Sequence, residues 1–218
     1  MGSDIHVHVE VFNPKTGKWE EKDDRGPRPS YEDWDAWDVG VPYIYEDRNY
    51  SVFAMLANVR NGSGFAGCDT GNGYLPISMP KGLPEDVSEG TRSEYEDWGE
   101  SCHTHSWLTV QELLDYDWER VTKRRGIVGT KGYLQFKEQG FPVTFSGGVW
   151  GPDVILVSNE EMERILEGGG EHKKSYFTKV EWEEPYKLSA STFFEVTLPA
   201  LKGLGEPENV RMVFWFDS

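Results

Sequence analysis

Residues 3–12 read SDIHVHVEVF and alternate strictly between polar and apolar side chains. The apolar set has odd numbers and comprises Ile5, Val7, Val9 and Val11. The polar set has even numbers and comprises Asp4, His6, His8 and Glu10. Because successive side chains of a strand point to opposite faces of a sheet, this stretch predicts a strand with one buried face and one polar face.

Helical and extended patterns follow one another along the rest of the chain. The predicted helices cover 48–60, 110 to about 121, the stretch from Ser158 to Gly168, and 190–202 with an interruption at Pro199. The predicted strands cover 132–136, 153–157, 176–182 and 210–216. Capping boxes at Thr109 and Ser158 support two of the helix starts. Since helices and strands are interspersed without a regular repeat, the expected fold class is α+β, with a mixed or antiparallel sheet and about four helices on one side.

The length of 218 residues predicts a single domain, 1–218, with irregular insertions at 20–47 and 61–107. The hydrophobic content of 37% and the aromatic content of 14% are sufficient for a core. Within 61–107, a glycine-rich stretch precedes seven carboxylates between Glu85 and Glu100. A connection of this length without periodicity is typical of a functional loop or of a disordered one, and its aromatic and aliphatic residues favour a long ordered loop.

Acidic residues outnumber basic residues, 38 against 22, which gives a formal net charge of −16. An excess of this size repels phosphate backbones and argues against nonspecific nucleic-acid binding. Apolar runs fall short of the roughly 18–20 residues that cross a bilayer, and the first residues lack a secretory pattern. The two cysteines, Cys68 and Cys102, do not make a disulfide framework. We therefore expect a cytoplasmic protein that does not contact a membrane.

Two His-x-His pairs are the first candidates for chemistry. On the predicted first strand, His6 and His8 share a face with Asp4. Three nitrogen or oxygen ligands and a water suffice for a catalytic metal site, so one hypothesis is a divalent metal held by these three side chains. A solvated strand face is the alternative, and the pattern leaves both open.

The second pair, His103 and His105, comes directly before the helix that starts after Thr109. Free N–H groups at a helix start attract anions, so this segment is predicted to bind a phosphate. The predicted phosphate ligands are His103, His105, Ser106 and Thr109. In an enzyme, His6, His103 and His105 are the candidates for general acid and base. The alternative is that the segment merely completes the helix cap.

Aromatic residues and isolated cations extend the candidate ligand-binding site. Rings in irregular segments offer faces on which a nucleobase can stack. The candidate stacking residues are Tyr50, Trp98 and Trp107. Cations in an acidic chain are candidates for a phosphate clamp, and these are Arg48, Arg60 and Lys81. Asp4 and His8 complete the predicted ligand-binding set, while core packing and ion pairs are the structural alternatives.

Four blocks of the sequence resemble an uncharacterised protein family that is associated with bacteriophage and bacterial genomes. The blocks are MGSDIHVHVE at 1–10, RNYSVFAMLANVRN at 48–61, PKGLPEDVS at 80–88 and WGESCHTHSWLTVQELL at 98–114. The resemblance covers residues 1–118 and implies no established chemistry. By analogy with other small phage proteins, it implies counter-defence against the nucleotide signals of bacterial immunity.

Three functions are compatible with these patterns. The first is a phage-type counter-defence protein that binds and sequesters a nucleotide-derived signal, such as a cyclic ADP-ribose-like molecule or a cyclic dinucleotide. The second is a phosphodiesterase that cleaves such a signal at a histidine-rich site, with or without a metal. The third is an acidic DNA mimic, in which the carboxylates of 20–47 and 85–100 block a DNA-binding enzyme. A homo-oligomer is compatible with each of them.

Overall fold

The computed structural model describes residues 2–22, 44–65, 68–69, 71–168 and 175–217. The chain divides into two compact units. Unit 1 comprises Met1–Val59, Pro76–Asp117 and Ala190–Ser218. Unit 2 comprises Arg60–Leu75 and Trp118–Ser189. Each unit has a sheet and an apolar cluster of its own, and the prediction of one domain over 1–218 stays a prediction.

Helices and strands are interspersed along the described residues, which confirms the α+β class. The strands are β1 (Ile5–Asn13), β2 (Lys18–Glu21), β3 (Ser63–Phe65), β4 (Cys68–Asp69), β5 (Cys102–Thr109), β6 (Val121–Gly129), β7 (Val154–Val157), β8 (Ser175–Pro185) and β9 (Val210–Asp217). The helices are α1 (Tyr50–Ala57), α2 (Glu89–Trp98), α3 (Val110–Asp115), α4 (Thr130–Gln139), α5 (Asn159–Glu167), α6 (Tyr186–Ser189) and α7 (Leu198–Lys202). Within the described ranges, every helix is too short or too polar to span a bilayer.

Sheet 1 belongs to unit 1 and is antiparallel, with the strand order β2-β1-β9-β5. The two ends of the chain meet in this sheet, since Ile5 lies opposite Phe216. The strand β9 is buried from Val210 to Phe216, so both of its faces are covered. A central strand that is buried on both faces reads as a continuous apolar run, as β9 does apart from Arg211.

Helices cover sheet 1 on two sides rather than on the one side predicted. The ring of Phe53 in α1 packs edge-on against Phe216, with ring centroids 5.1 Å apart. On the other face, Trp98 of α2 packs against His6, with ring centroids 4.1 Å apart. The prediction was wrong here because it treated the polar residues of β1 as a solvated face.

Sheet 2 belongs to unit 2 and is mixed, with the order β6-β8-β7. The strand β8 runs antiparallel to β6 and parallel to β7. On its buried face, Tyr133 of α4 and Met162 of α5 form a cluster with Val180 and Trp182. The alternating residues of β8, such as Glu181, are exposed. This sheet therefore has one covered face and one solvent-facing face, which is common for antiparallel pairs.

Several elements lie where the sequence predicts them. The strands β1, β7, β8 and β9 are confirmed, as are α1, α5 and the start of α3. The capping box at Thr109 is confirmed, because the Thr109 hydroxyl accepts from the Glu112 N–H and the Glu112 carboxylate accepts from the Thr109 N–H. At Ser158 the N-cap is confirmed, because its hydroxyl accepts from the Glu161 N–H. These elements have clear periodicity or a side chain that satisfies the free N–H groups at a helix start.

Other predictions were wrong. Residues 132–136 form part of α4, because Tyr133 and Phe136 are spaced three apart and pack on sheet 2 as one helix face. The predicted helix from 110 ends at Asp115, and the strand β6 follows. The predicted loop 61–107 contains β3, β4, α2 and most of β5. The helix α2 escaped prediction because Thr91 is its one fully buried residue, so it lacks an apolar stripe. Of the predicted insertion 20–47, residues 23–43 lie outside the described ranges.

Candidate functional site

The polar side chains of β1 lie in a closed layer between sheet 1 and α2. His6 lies opposite Trp215 of β9, and the two rings stack with centroids 6.3 Å apart. Tyr95 of α2 packs edge-on against the same indole, at 5.5 Å. Val87 and Val213 join Trp215 in the apolar cluster of this layer. The predicted cleft above this face is therefore filled by side chains of α2 and the segment before it.

His8 is buried within that layer and joins two other elements to β1. Its ring stacks on Trp215, with centroids 4.9 Å apart, and it is 3% exposed. The Nδ1 atom lies 2.7 Å from Oε1 of Glu21 in β2, and the Nε2 atom lies 3.6 Å from Oε2 of Glu94 in α2. Both ring nitrogens therefore face carboxylates of the chain itself, which indicates a structural role for this imidazole.

Glu10 and Arg211 form a buried ion pair in the same layer. The Nε of Arg211 donates to Oε2 of Glu10 at 2.8 Å, and both residues are at most 2% exposed. The second oxygen of Glu10 accepts from the backbone N–H of Ser88, the N-cap of α2. Arg211 also donates to the carboxylate of Asp86. Burial by itself would raise the pKa of Asp86, but the hydrogen bond from Arg211, the Arg211 charge and a hydrogen bond from Trp19 together lower that pKa. This network fixes α2 over the sheet.

Three residues proposed as metal ligands have separate partners. Both carboxylate oxygens of Asp4 accept from Arg48, and this interaction raises the pKa of the Arg48 guanidinium. His6 Nε2 lies 3.4 Å from Oδ2 of Asp217, while His8 faces Glu21. Within the described ranges, no three His, Cys, Asp or Glu side chains are grouped as a metal site would require. The geometry therefore does not support the hypothesis of a metal at this position.

The second histidine pair is divided between the two faces of sheet 1. A β-bulge interrupts the pairing of β5 with β9 between His103 and Ser106, and Thr104 has a φ of 54° there. His103 stacks over Phe216, on the face that α1 covers. His105 lies against Tyr95 on the α2 face, with Nδ1 3.4 Å from the phenol oxygen. The expectation that both rings share one site was wrong, because a bulge adds a residue and shifts the alternation of faces.

The predicted phosphate position at the start of α3 is occupied by the chain itself. The Thr109 N–H donates to Oε2 of Glu112, and the Glu112 N–H donates to the Thr109 hydroxyl. Lys81 forms an ion pair with Glu112 at 2.5 Å, and its ammonium lies 4.2 Å from the centroid of a Trp107 ring. Ser106 is buried and accepts from the Lys81 backbone N–H. The prediction was wrong because the capping box already satisfies these donors.

The remaining candidate residues are also part of the internal structure. The hydroxyl of Tyr50 accepts from the Ser3 N–H at 3.3 Å, and its ring packs edge-on against Phe53. Trp98 packs against His6. Arg60 belongs to unit 2, whereas the other candidates belong to unit 1. The proposed stacking residues thus pack within unit 1.

Unit 2 contains an open groove of about 580 Å³ that the sequence patterns did not predict. Its lining residues are Asn72, Gly73, Tyr74, Leu75, Val121, Thr122, Lys123, Glu183 and Tyr186. The segment 71–75 forms one wall and lies against β6, where the Asn72 N–H donates to the Lys123 carbonyl oxygen at 2.9 Å. Gly71, at a φ of 69°, is required for this approach, because a Cβ there would lie 1.9 Å from the same carbonyl oxygen.

Hydrogen bonds fix the groove walls in place. The Thr122 hydroxyl donates to the Gly73 carbonyl oxygen at 2.8 Å, and the Leu75 N–H donates to the Tyr186 hydroxyl at 3.0 Å. Beneath the groove, Arg124 donates to the Tyr74 hydroxyl at 2.8 Å and lies 3.2 Å from Glu184. A site with these supports is preformed, which reduces the entropy that binding would cost.

The charge around the groove differs from that of the chain as a whole. At its mouth, Lys123 and Glu183 are 3.9 Å apart, with side chains 66% and 65% exposed. The sequence of unit 2 carries twelve basic and twelve acidic residues, whereas that of unit 1 carries ten basic and twenty-six acidic residues. The net charge of −16 is therefore the charge of unit 1.

No clear signal in the sequence reveals this groove. The residues of β6 that line it come from VTKRRG, a stretch in which the buried positions are Thr122, Arg124 and Gly126. Polar residues at the buried positions conceal the period of two that identifies a strand. The other wall comes from a glycine-rich segment, and its position on β6 depends on tertiary contacts.

Comparison of the chain with family models, with curated proteins and with solved structures gives no match. The function is therefore inferred from the geometry of the described residues and from the resemblance of the sequence to a phage-associated family.

Proposed function

We propose that the chain is a phage-type counter-defence protein that binds and sequesters a nucleotide-derived immune signal in the bacterial cytoplasm, and that it does so in the groove of unit 2. The groove volume of about 580 Å³ is the observation that carries this proposal. It lies in the range of about 300–1,000 Å³ that is typical of small-molecule sites. The polar face of sheet 1 has the histidines that the sequence predicts as ligands, but side chains of α2 cover it.

Charge supports unit 2 as the position of an anionic ligand. Unit 1 has sixteen more acidic than basic residues, so a phosphate-bearing molecule is repelled from its surface. Unit 2 is balanced, and Lys123 presents an exposed ammonium at the groove. Its contact with Glu183, at 3.9 Å, is a weak surface pair that a phosphate can replace.

The other groove residues suit the remaining parts of a nucleotide. Leu75 and Val121 are half-exposed apolar side chains that can contact a base or a ribose. Asn72 offers an amide with two donors and an acceptor. The Asn72 and Leu75 N–H groups and the Lys123 and Gly73 carbonyl oxygens already have partners. The Asn72 and Lys123 side chains are therefore the polar groups that we expect to select the ligand.

Calorimetry with a panel of cyclic dinucleotides and cyclic ADP-ribose-like molecules tests this proposal. We expect Lys123→Glu to weaken binding by at least about tenfold, because a hydrogen bond to a charged group contributes about 1.5–3 kcal/mol. Lys137→Glu is the matched control, since Lys137 is an exposed lysine of unit 2 that pairs with Glu163 and does not line the groove. Equal affinity of the wild type and Lys123→Glu contradicts the groove as the site.

The double variant His103→Ala with His105→Ala distinguishes the groove from the site that the sequence suggested. Both side chains belong to unit 1, so we expect the affinity to remain within about twofold of the wild type. Circular dichroism controls for the fold of this variant. If the folded double variant loses binding while Lys123→Glu binds normally, the ligand site lies at sheet 1 and not in the groove.

Release of the bound molecule separates sequestration from cleavage. After incubation with the nucleotide and heat denaturation, chromatography should recover the ligand intact. New products instead indicate the phosphodiesterase alternative. His8 is buried under α2, and His6 and His105 pack against aromatic side chains of that helix, so we prefer sequestration to cleavage.

The DNA-mimic alternative requires carboxylates on the surface of unit 1. Glu96, Asp97 and Glu100 are exposed, whereas Glu94 is half-buried and faces His8. Charge reversal at the three exposed positions therefore tests mimicry without disturbing the buried layer. We expect this triple variant to bind the nucleotide like the wild type, and loss of inhibition of a DNA-binding enzyme in this variant supports mimicry instead.

A further inference from the structure

The outer edges of the two sheets differ in how they are protected against pairing with another strand. Native proteins protect such edges with charges, short strands or covering segments. The edge strand β2 is four residues long and contains Lys18, Glu20 and Glu21. Along the edge strand β5, the Gly82 N–H donates to the His105 carbonyl oxygen. In sheet 1, the β2 edge is therefore protected by its short length and its charges, and the β5 edge is covered by the segment that contains Gly82.

Sheet 2 has one protected edge and one without protection. The edge of β6 is bonded to the Asn72 N–H and, further along, to Ser146 through both backbone groups of Ile127. The opposite edge strand, β7, reads VILV and contains no charge and no proline. Among the described residues, no strand pairs with its outer side. An uncharged apolar edge of this kind is a template for strand addition.

The direction of the backbone groups identifies the available hydrogen-bonding atoms. The Asp153 carbonyl oxygen accepts from the Ser175 N–H, so Asp153 faces β8. Because these groups alternate in direction along a strand, those of Val154 and Leu156 face outward. The Val154 N–H donates locally to the Gly151 carbonyl oxygen at 3.3 Å. The outward groups are therefore the Val154 carbonyl and both backbone groups of Leu156.

The side chains next to this edge are apolar and exposed. Leu156 is 51% exposed, and Trp150, four residues before β7, is 87% exposed. An exposed leucine on an edge strand provides apolar contact area for a strand that pairs there. We name the strand Val154–Val157 the β7 surface.

We infer that the β7 surface pairs with the β7 surface of a second copy of this chain, in an antiparallel arrangement about a two-fold axis close to Leu156. Two-fold contacts use the same patch on both subunits, and an uncharged strand is complementary to itself. Charge also favours this position, because unit 2 is neutral while unit 1 would bring two like-charged surfaces together. Pairing joins two three-stranded sheets into one of six strands.

Sedimentation velocity over a concentration series tests the inference. The pairing strand is short, so we expect a reversible dimer that forms as concentration rises. Leu156→Lys places two ammonium groups at the axis and should leave a monomer at every concentration. Leu188→Lys is the matched control, because Leu188 is also a leucine of unit 2 that is 51% exposed, and it should dimerise like the wild type.

Oxidative cross-linking provides a positive test. Leu156→Cys brings two thiols within disulfide reach across the axis, so oxidation should give a covalent dimer on a denaturing gel. Leu188→Cys carries the same two native cysteines and should remain largely monomeric. The inference is overturned if the wild type is monomeric at every concentration, or if both cysteine variants cross-link equally. The β7 edge would then be available for pairing with an extended segment of a different protein.

Discussion

The central strands of the two sheets are buried in different ways. In sheet 1, β9 is buried from Val210 to Phe216 because α1 covers one face and α2 the other. In sheet 2, β8 alternates between buried residues such as Val180 and exposed residues such as Glu181. The first sheet is the middle of a layered unit, whereas the second has one surface available to solvent.

The two units also place their charges differently. Unit 1 has most of the acidic residues, yet it also buries the ion pair of Glu10 and Arg211. Unit 2 is balanced, and its exposed sheet face pairs opposite charges across strands: Lys123 lies opposite Glu183, and Arg125 opposite Glu181. Composition averaged over the whole chain therefore describes neither unit.

The largest effect is expected from Arg211→Ala in unit 1. This change leaves Glu10 buried without its counter-charge, which should lower the free energy of unfolding by about 3–5 kcal/mol. Urea denaturation measures the loss. In unit 2, Lys137→Ala removes an exposed ion pair with Glu163 and should cost less than about 1 kcal/mol.

A double variant checks the cause of that loss. Glu10→Gln with Arg211→Met removes both charges and keeps an acceptor for the Ser88 N–H. We expect this variant to be more stable than Arg211→Ala alone, since burying a charge without a partner is the main cost. If both variants lose the same stability, packing around Arg211 dominates rather than charge.

The next effect concerns the apolar core of unit 2. Met162 is fully buried against sheet 2, so Met162→Ala should lower the free energy of unfolding by about 2–5 kcal/mol through the cavity that it leaves. Leu134→Ala is the control, because Leu134 lies on α4 in the same unit and is half-exposed. Similar losses for both variants contradict the described packing of α5.

Helix caps allow a comparison between the units at matched chemistry. Thr109→Ala in unit 1 and Ser158→Ala in unit 2 each remove a hydroxyl that accepts an N-terminal N–H, and each should cost about 1 kcal/mol. Thr109→Ser and Ser158→Thr keep the hydroxyl and should retain nearly all the stability. Thermal unfolding measures all four. A larger loss at Thr109 indicates that Lys81 and Glu112 contribute through the same cap.

The smallest effect on stability is expected from protonation of Asp86 at low pH. The pKa of Asp86 is lowered in the folded chain, so its contribution to stability is present above its unfolded pKa of about 4 and is lost as the pH falls through the folded value. The carboxylate is largely exposed, which screens the interaction. Asp86→Asn should therefore lose less stability than the wild type when the pH is lowered from about 5 to about 2. An equal decrease excludes Asp86 as a contributor.

The sequence predicts β1, β7, β8, β9 and the two capped helix starts, but not the other strands and not the site. The alternation in 3–12 identifies β1, and its apolar residues Ile5, Val7 and Val9 are buried as expected. Two of its polar residues, Glu10 and His8, are buried too, because they find partners on distant elements. Alternation shows that a strand has one polar and one apolar face. It does not show whether the polar face is exposed to solvent or buried against charged partners.

The second histidine pair illustrates the same limit. The spacing of His103 and His105 predicts a shared face, but the bulge at Thr104 places them on opposite faces of sheet 1. The capping box at Thr109 is confirmed, and its hydrogen bonds occupy the Thr109 and Glu112 N–H groups. A local motif thus predicted its local structure and not its availability to a ligand.

The sequence by itself determined the α+β class, the capped helix starts and the terminal strands, because periodicity and capping depend on neighbouring residues. Tertiary structure alone decided the pairing of β1 with β9, the burial of the polar layer and the groove between 71–75 and β6. These features join residues that are far apart along the chain, such as Glu10 with Arg211 and Gly71 with Lys123. The stability of these features comes from contacts between distant residues, which patterns of neighbouring residues cannot predict.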